Sequence, residues 1–176
     1  MNRGASKCRS AARAAFVCIV GSTSGSALAL EQRPMGAWVI ESAVAAPWAD
    51  PAQPIAPDEP KRLIGRTVTF GAKAVDAPAP IGCAKPVYAV RRDGPDMLFQ
   101  GALAEPGKDG KPRDAAMLAR RLGMTTKTVV TYEIGCSEFE FHALAPGALV
   151  FGLNDRVYTM RPARAGATSR GQGPKP

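Results

Sequence analysis

Five side chains could act together chemically: Cys83, Cys136, Glu138, Glu140 and His142, which is the chain's single histidine. A cysteine–histidine nucleophilic pair needs one thiol free beside the imidazole. Glu138, Glu140 and His142 alternate, so in an extended strand they share a face at about 7 Å per step. That face offers one imidazole and two carboxylates, a thin ligand set for zinc or copper. A polar outer face of an antiparallel strand accounts for the same alternation. Glu138 with Glu140, or Asp93 with Asp96, are the acid pairs available for hydrolysis. Their spacing does not set them apart from surface charges. The chain has no Gly-rich phosphate loop, no G-x-S-x-G and no zinc-protease motif. The expectation is a non-enzymatic protein with no metal and no cofactor.

The N-terminus decides what the cysteines can do. Arg3, Lys7, Arg9 and Arg13 form a basic region without acids, followed by the apolar run AAFVCIV and then Ala27-Leu28-Ala29. These are the three parts of a cleavable signal peptide, cut after Ala29. The apolar run is far shorter than the ~20 residues that span a bilayer. Cys18 follows Ala15-Phe16-Val17, whereas a lipobox wants a small residue directly before its cysteine. Cleavage removes Cys8 and Cys18, leaving Cys83 and Cys136 in an exported chain. Two cysteines in an oxidising compartment most simply form one disulfide. That bond would consume both thiols and end any cysteine–histidine chemistry.

The division that follows is residues 1–29 as leader, 30–161 as a single β-rich domain and 162–176 as a disordered basic tail. The net charge of +8 sits largely at the two ends. Between Leu30 and Arg161, 16 Lys/Arg face 15 Asp/Glu. A basic chain raises nucleic acid as a partner, but a balanced domain argues against it. The expected location is the periplasm or the exterior.

The elements that must hold these residues are short strands. The stretch Thr126–Arg161 reads as four strands joined by three tight turns. Val130, Tyr132 and Ile134 share one face, as do Phe139, Phe141 and Ala143, then Leu149, Phe151 and Leu153, then Tyr158 and Met160. Asn154-Asp155 is a two-residue hairpin signal. Earlier strands are expected at Ala37–Val44, with Trp38, Ile40 and Ser42 on one face, at Gly65–Phe70 continuing toward Val75, and at Pro86–Arg91. Asp114–Leu122 is the one convincing helix, with a face of Ala115, Leu118, Ala119 and Leu122. A helical turn is expected at Asp58–Leu63. Five prolines from Pro47 to Pro60 forbid a regular helix or a central strand there. This predicts a mainly β fold, a closed or nearly closed antiparallel barrel with one short α-helix. A β-sandwich is the alternative.

Gly36-Ala37-Trp38 opens the first strand and resembles the G-x-W of lipocalins and related calycin barrels. The resemblance implies that Trp38 closes the barrel floor beneath an arginine from the end of the last strand, which would be Arg161 or Arg156. The helix before the last four strands departs from the lipocalin order, in which it follows the barrel. Small bacterial envelope barrels that inhibit lysozyme or secreted proteases are similar in style. The expected function is therefore binding, of a protein partner as an inhibitor-type barrel or, alternatively, of a small apolar ligand. The less regular segments around Trp48 and Phe99 are the weak candidates for the binding site. Trp48 reads first as a plug on the barrel mouth.

Overall fold

Alternating apolar residues build nine strands, β1 Gly36–Ala45, β2 Thr67–Phe70, β3 Ala74–Asp76, β4 Cys83–Ala84, β5 Ala89–Asp93, β6 Val129–Glu133, β7 Glu140–Leu144, β8 Ala148–Leu153 and β9 Arg156–Pro162. Two helices accompany them, α1 Asp58–Leu63 and α2 Ala115–Arg121. The structure is a computed structural model and describes residues 33–50, 52 and 58–164. The expected leader and residues 165–176 of the tail lie outside the described residues, as does most of the proline-rich crossing after Asp50. The strands form one antiparallel sheet in the order β4-β3-β2-β1-β9-β8-β7-β6-β5. Among the described residues, no helix is long and apolar enough to cross a membrane.

The sheet is strongly curled. Phe70 of β2 and Phe141 of β7 stand four strands apart in the ladder, about 19 Å on a flat sheet. Their ring centroids are 5.0 Å apart, edge to face. The concave side therefore closes on itself and is filled by its own side chains. Phe151 and Tyr158 stack at 5.1 Å, and Phe70, Phe141, Phe151, Tyr158 and Met160 are all fully buried. Helix α1 adds Leu63 to this interior.

The expected closed or nearly closed barrel takes the form of a barrel-like curl, in which β4 and β5 are the two edges of the sheet and are not paired with each other. The opening is laced by other means. Cys83 lies in β4 and Cys136 follows β6, and the two stand at disulfide distance with Cα atoms 5.8 Å apart. The Tyr88 hydroxyl donates to the Gly71 carbonyl at 2.9 Å.

Three local expectations shift. A β-bulge in β1 pairs Ile40 with Met160 and then Ser42 with Thr159, leaving Glu41 as the extra residue. After the bulge Ala43, not Ser42, packs on the interior. The strand after Phe70 does not continue to Val75. It turns back, pairing Phe70 with Val75. The strand expected at Pro86–Arg91 begins at Ala89, because Lys85 takes φ +59° and Pro86 has no N–H to give a ladder.

Helix α2 forms as the spacing requires. The Asp114 carboxylate caps it by accepting from the Met117 amide at 2.9 Å. Leu118 and Ala119 pack with Leu98, Leu103 and Met124 against Val129, Val150 and Val157, on the outer side of β6, β8 and β9. Residues 95–124 thus cover the convex face of the C-terminal strands. The curl and its interior carry a direct consequence for the cysteines. Reduction, or Cys83→Ser with Cys136→Ser, is expected to lower stability by about 2–4 kcal/mol, read as a shift in the urea midpoint. An unchanged midpoint would show that the pair does not hold the edges together.

Candidate functional site

Alternation puts Arg91, Thr131, His142 and Val150 in one row across β5, β6, β7 and β8, on the convex face. Sequence reading assigns His142 to the outer face correctly but expects that face to meet water. Instead His142 is fully buried, because the 95–124 segment lies over it. The Phe99 amide donates to His142 Nε2 at 3.0 Å. Nε2 therefore carries no proton, and Nδ1–H donates to Thr131 Oγ1 at 3.0 Å. The imidazole is neutral and fully engaged. In this tautomer it cannot take a proton from the Thr131 hydroxyl.

A carboxylate cluster stands beside it. Glu133 and Glu140 are directly opposed across β6 and β7, a repulsive pairing when unscreened. Arg91 relieves it by pairing with Glu133 and reaching Glu140 at 2.8 Å and Asp93 at 3.2 Å. The second oxygen of Glu140 accepts the Gln100 amide at 3.1 Å and lies 3.8 Å from His142 Nε2.

These acceptors hold an unusual turn. Phe99, Gln100 and Gly101 take φ of +53°, +59° and +85° in succession. Left-handed geometry costs a non-glycine residue roughly 1–2 kcal/mol. The two amide hydrogen bonds, to a buried imidazole and to a carboxylate, are worth about 1–3 kcal/mol each. They are large enough to offset the strain, so β7 latches the turn in place. The segment Met97–Gly101, ambiguous in sequence between a strand and a buried turn, is this turn.

The latch lays Phe99 over the convex face, where it is buried. Its ring meets the His142 ring edge-on at 4.5 Å and the Trp48 ring at 5.1 Å. Both Trp48 and Phe99 lie over Gly152 of β8, where a methyl group would stand 3.2 Å from each ring. Trp48 Nε1 donates to the Asn154 carbonyl at 2.9 Å. Next to these rings a cleft of about 520 Å³ opens at the rim of the curl, between the β8–β9 hairpin and the β6–β7 turn. Trp48, Phe99, Phe139 and Leu153 give it apolar walls, and Glu138 and Glu140 give it carboxylates.

The two weak candidates from sequence, Trp48 and Phe99, are thus brought together, and Trp48 borders an open cleft rather than sealing it. Glu138 joins them, while His142 lies beneath, behind Phe99. Glu140 links the two levels. Sequence reading missed Gly152, Asn154 and Gln100. A glycine within the otherwise bulky strand Ala148–Leu153 was the available signal, since such a glycine marks a close approach. Among the described residues, no group of three or more His, Cys, Asp or Glu side chains is placed to hold a metal ion. Trp38 and Arg161 do not meet as the calycin resemblance implies. Trp38 packs on the interior, with Nε1 donating to the Pro34 carbonyl at 3.1 Å. Arg161 pairs with Val39 on the opposite face and donates from Nε to Glu41 at 3.0 Å. Arg156 begins β9 at the other end of that strand, so it does not take the role either.

Comparison of the chain with protein-family models, with curated proteins and with solved structures returns no match. What the fold and site define is a curled antiparallel β protein with an aromatic rim cleft.

Burial pushes the His142 imidazole down to about 4, with nearby Asp93 opposing the shift and Arg91 adding to it. The folded state holds this histidine neutral, while the unfolded chain titrates near 6.5. Between those values the unfolded state binds more protons, so stability rises with pH through the window and falls as pH drops. The full effect is about 3 kcal/mol below pH 4. Urea denaturation between pH 7 and 4 should show this slope, and His142→Gln should flatten it in that window. An equal slope in the variant would remove His142 as its source.

Proposed function

We propose that this protein is an exported, non-enzymatic binding protein whose rim cleft recognises a segment of a partner protein, in the manner of an inhibitor-type barrel. The observation that carries the reading is the cleft itself. It sets the half-buried Trp48 beside a 520 Å³ opening, backed by the buried Phe99 of a strained and latched turn. Tryptophan is among the residues enriched at the few positions that carry most of an interface's binding energy. Strain of this kind concentrates at ligand clamps.

Two observations favour the rim over the interior. The concave side is filled by Phe70, Phe141, Phe151, Tyr158 and Met160, which leaves carriage of an apolar ligand inside the curl without a chamber. The only imidazole has its acceptor nitrogen occupied by the Phe99 amide, which supports binding rather than acid–base chemistry. Export rests on the basic, apolar and Ala-Leu-Ala segments at residues 1–29 and is supported by the placement of Cys83 and Cys136 at bonding distance. A calycin relationship rests on Gly36-Ala37-Trp38 and the curled antiparallel sheet alone.

The test is direct titration against envelope hydrolases, with lysozyme first, by calorimetry and by inhibition of activity. A saturable complex is expected, and Trp48→Ala should weaken it at least tenfold, a change of about 1.4 kcal/mol or more. A complex formed equally well by Trp48→Ala would move recognition away from the cleft.

A further inference from the structure

The chemistry of the cleft specifies more than an apolar contact. The chain as a whole is basic, with 23 Lys/Arg against 15 Asp/Glu. The cleft is the reverse, because among the described residues its lining holds Glu138 and Glu140 and no lysine or arginine. Glu140 is engaged on both oxygens, by Arg91 and by the Gln100 amide. Glu138 is different. Its backbone carbonyl accepts from the Gln100 side chain, but its carboxylate makes no ion pair or hydrogen bond with the described residues. An exposed carboxylate with no partner among the described residues thus lines the same cleft as Trp48 and Phe139.

The pairing of aromatic faces with an uncompensated carboxylate suits a cation. A ring face attracts a cation through its quadrupole, and tryptophan does so most strongly. An acidic occupant would meet two like charges. A purely apolar occupant would cover the Glu138 carboxylate without giving it a partner, which is costly. Between the two basic side chains, the guanidinium fits better. It is planar, stacks on aromatic rings and presents a fork of donors to one carboxylate, whereas an ammonium is a strongly hydrated point charge. The volume leaves room for a long side chain together with the backbone that carries it.

We propose that the rim cleft receives an arginine side chain from the partner protein, stacked against Trp48 and paired with Glu138. This rests on the reading of the cleft as a recognition site and adds the chemical identity of what it recognises.

The experiment uses the purified, isotopically labelled protein and three short capped peptides, Gly-Arg-Gly, Gly-citrulline-Gly and Gly-Trp-Gly. The Trp48 indole N–H and the Gln100 amide are followed by NMR. The arginine peptide should shift both resonances saturably. The citrulline peptide, of the same shape without the charge, should bind roughly tenfold more weakly, as the loss of a charge-assisted contact requires. Glu138→Gln changes an exposed residue, so the fold should persist, shown by an otherwise unchanged spectrum. This variant should lose the preference for arginine over citrulline. Equal binding of the arginine and citrulline peptides, or an undiminished preference in Glu138→Gln, overturns the arginine proposal. If the tryptophan peptide still shifts the Trp48 resonance, recognition at the rim survives that failure. Silence from all three peptides overturns both.

Discussion

The structure depends on one contact across the curl, the edge-to-face meeting of Phe70 and Phe141. Nine short strands offer little rigidity separately, and β4 has only two residues. Bending the sheet until β2 meets β7 turns one of its faces into an interior, which is where the apolar area is buried. The interior then needs no second sheet. It needs only that the opening between β4 and β5 stay narrow. The Cys83–Cys136 pair and the Tyr88 hydroxyl both act at that opening.

Bending leaves the convex face of β6 to β9 rich in Val129, Val150 and Val157, which the chain must also cover. The segment 95–124 does this, and the cleft is a by-product of how it is anchored. His142 and Glu140 hold its leading turn on the sheet, and the turn delivers Phe99 to Trp48. Histidine and glutamate here act as acceptors for backbone amides. Through those hydrogen bonds they set the geometry of the rim. The second polar anchor lies at the same end, where Glu59 of α1 accepts from the Tyr158 hydroxyl at 2.8 Å and pairs with Asn154 of the β8–β9 hairpin. Burial, reinforced by the Glu59 hydrogen bond, pushes the Tyr158 phenol well above its ordinary range, so this link stays protonated.

Much of this was legible in the alternation. The inward faces of the last four strands, the Asn154-Asp155 hairpin, the Asp114-capped helix and the Asp58–Leu63 turn all follow from period and capping. The bulge at Glu41 was not legible, because a bulge changes the face of every later residue without leaving a residue-type mark. The burial of His142 was not legible either. Alternation reports which face a residue occupies, and it cannot say that a segment some forty residues earlier returns to cover that face. Trp48 and Phe99 were found as candidates only because they sat in irregular stretches. Their meeting over Gly152 required the fold.

The pairing of β1 with β9 has a consequence for how the chain comes to be folded. Glu41 and Arg161 join across 120 positions, and β1 is flanked on one side by β9, which is made long after it. Native contacts of this span raise contact order and delay the folding transition, since the loop must close before the ladder repays it. A chain emerging N-terminus first would hold β1 with one edge unmatched until β9 arrives. The curl would then form late and all at once, and loss of β9 would leave β1 exposed through the centre of the sheet.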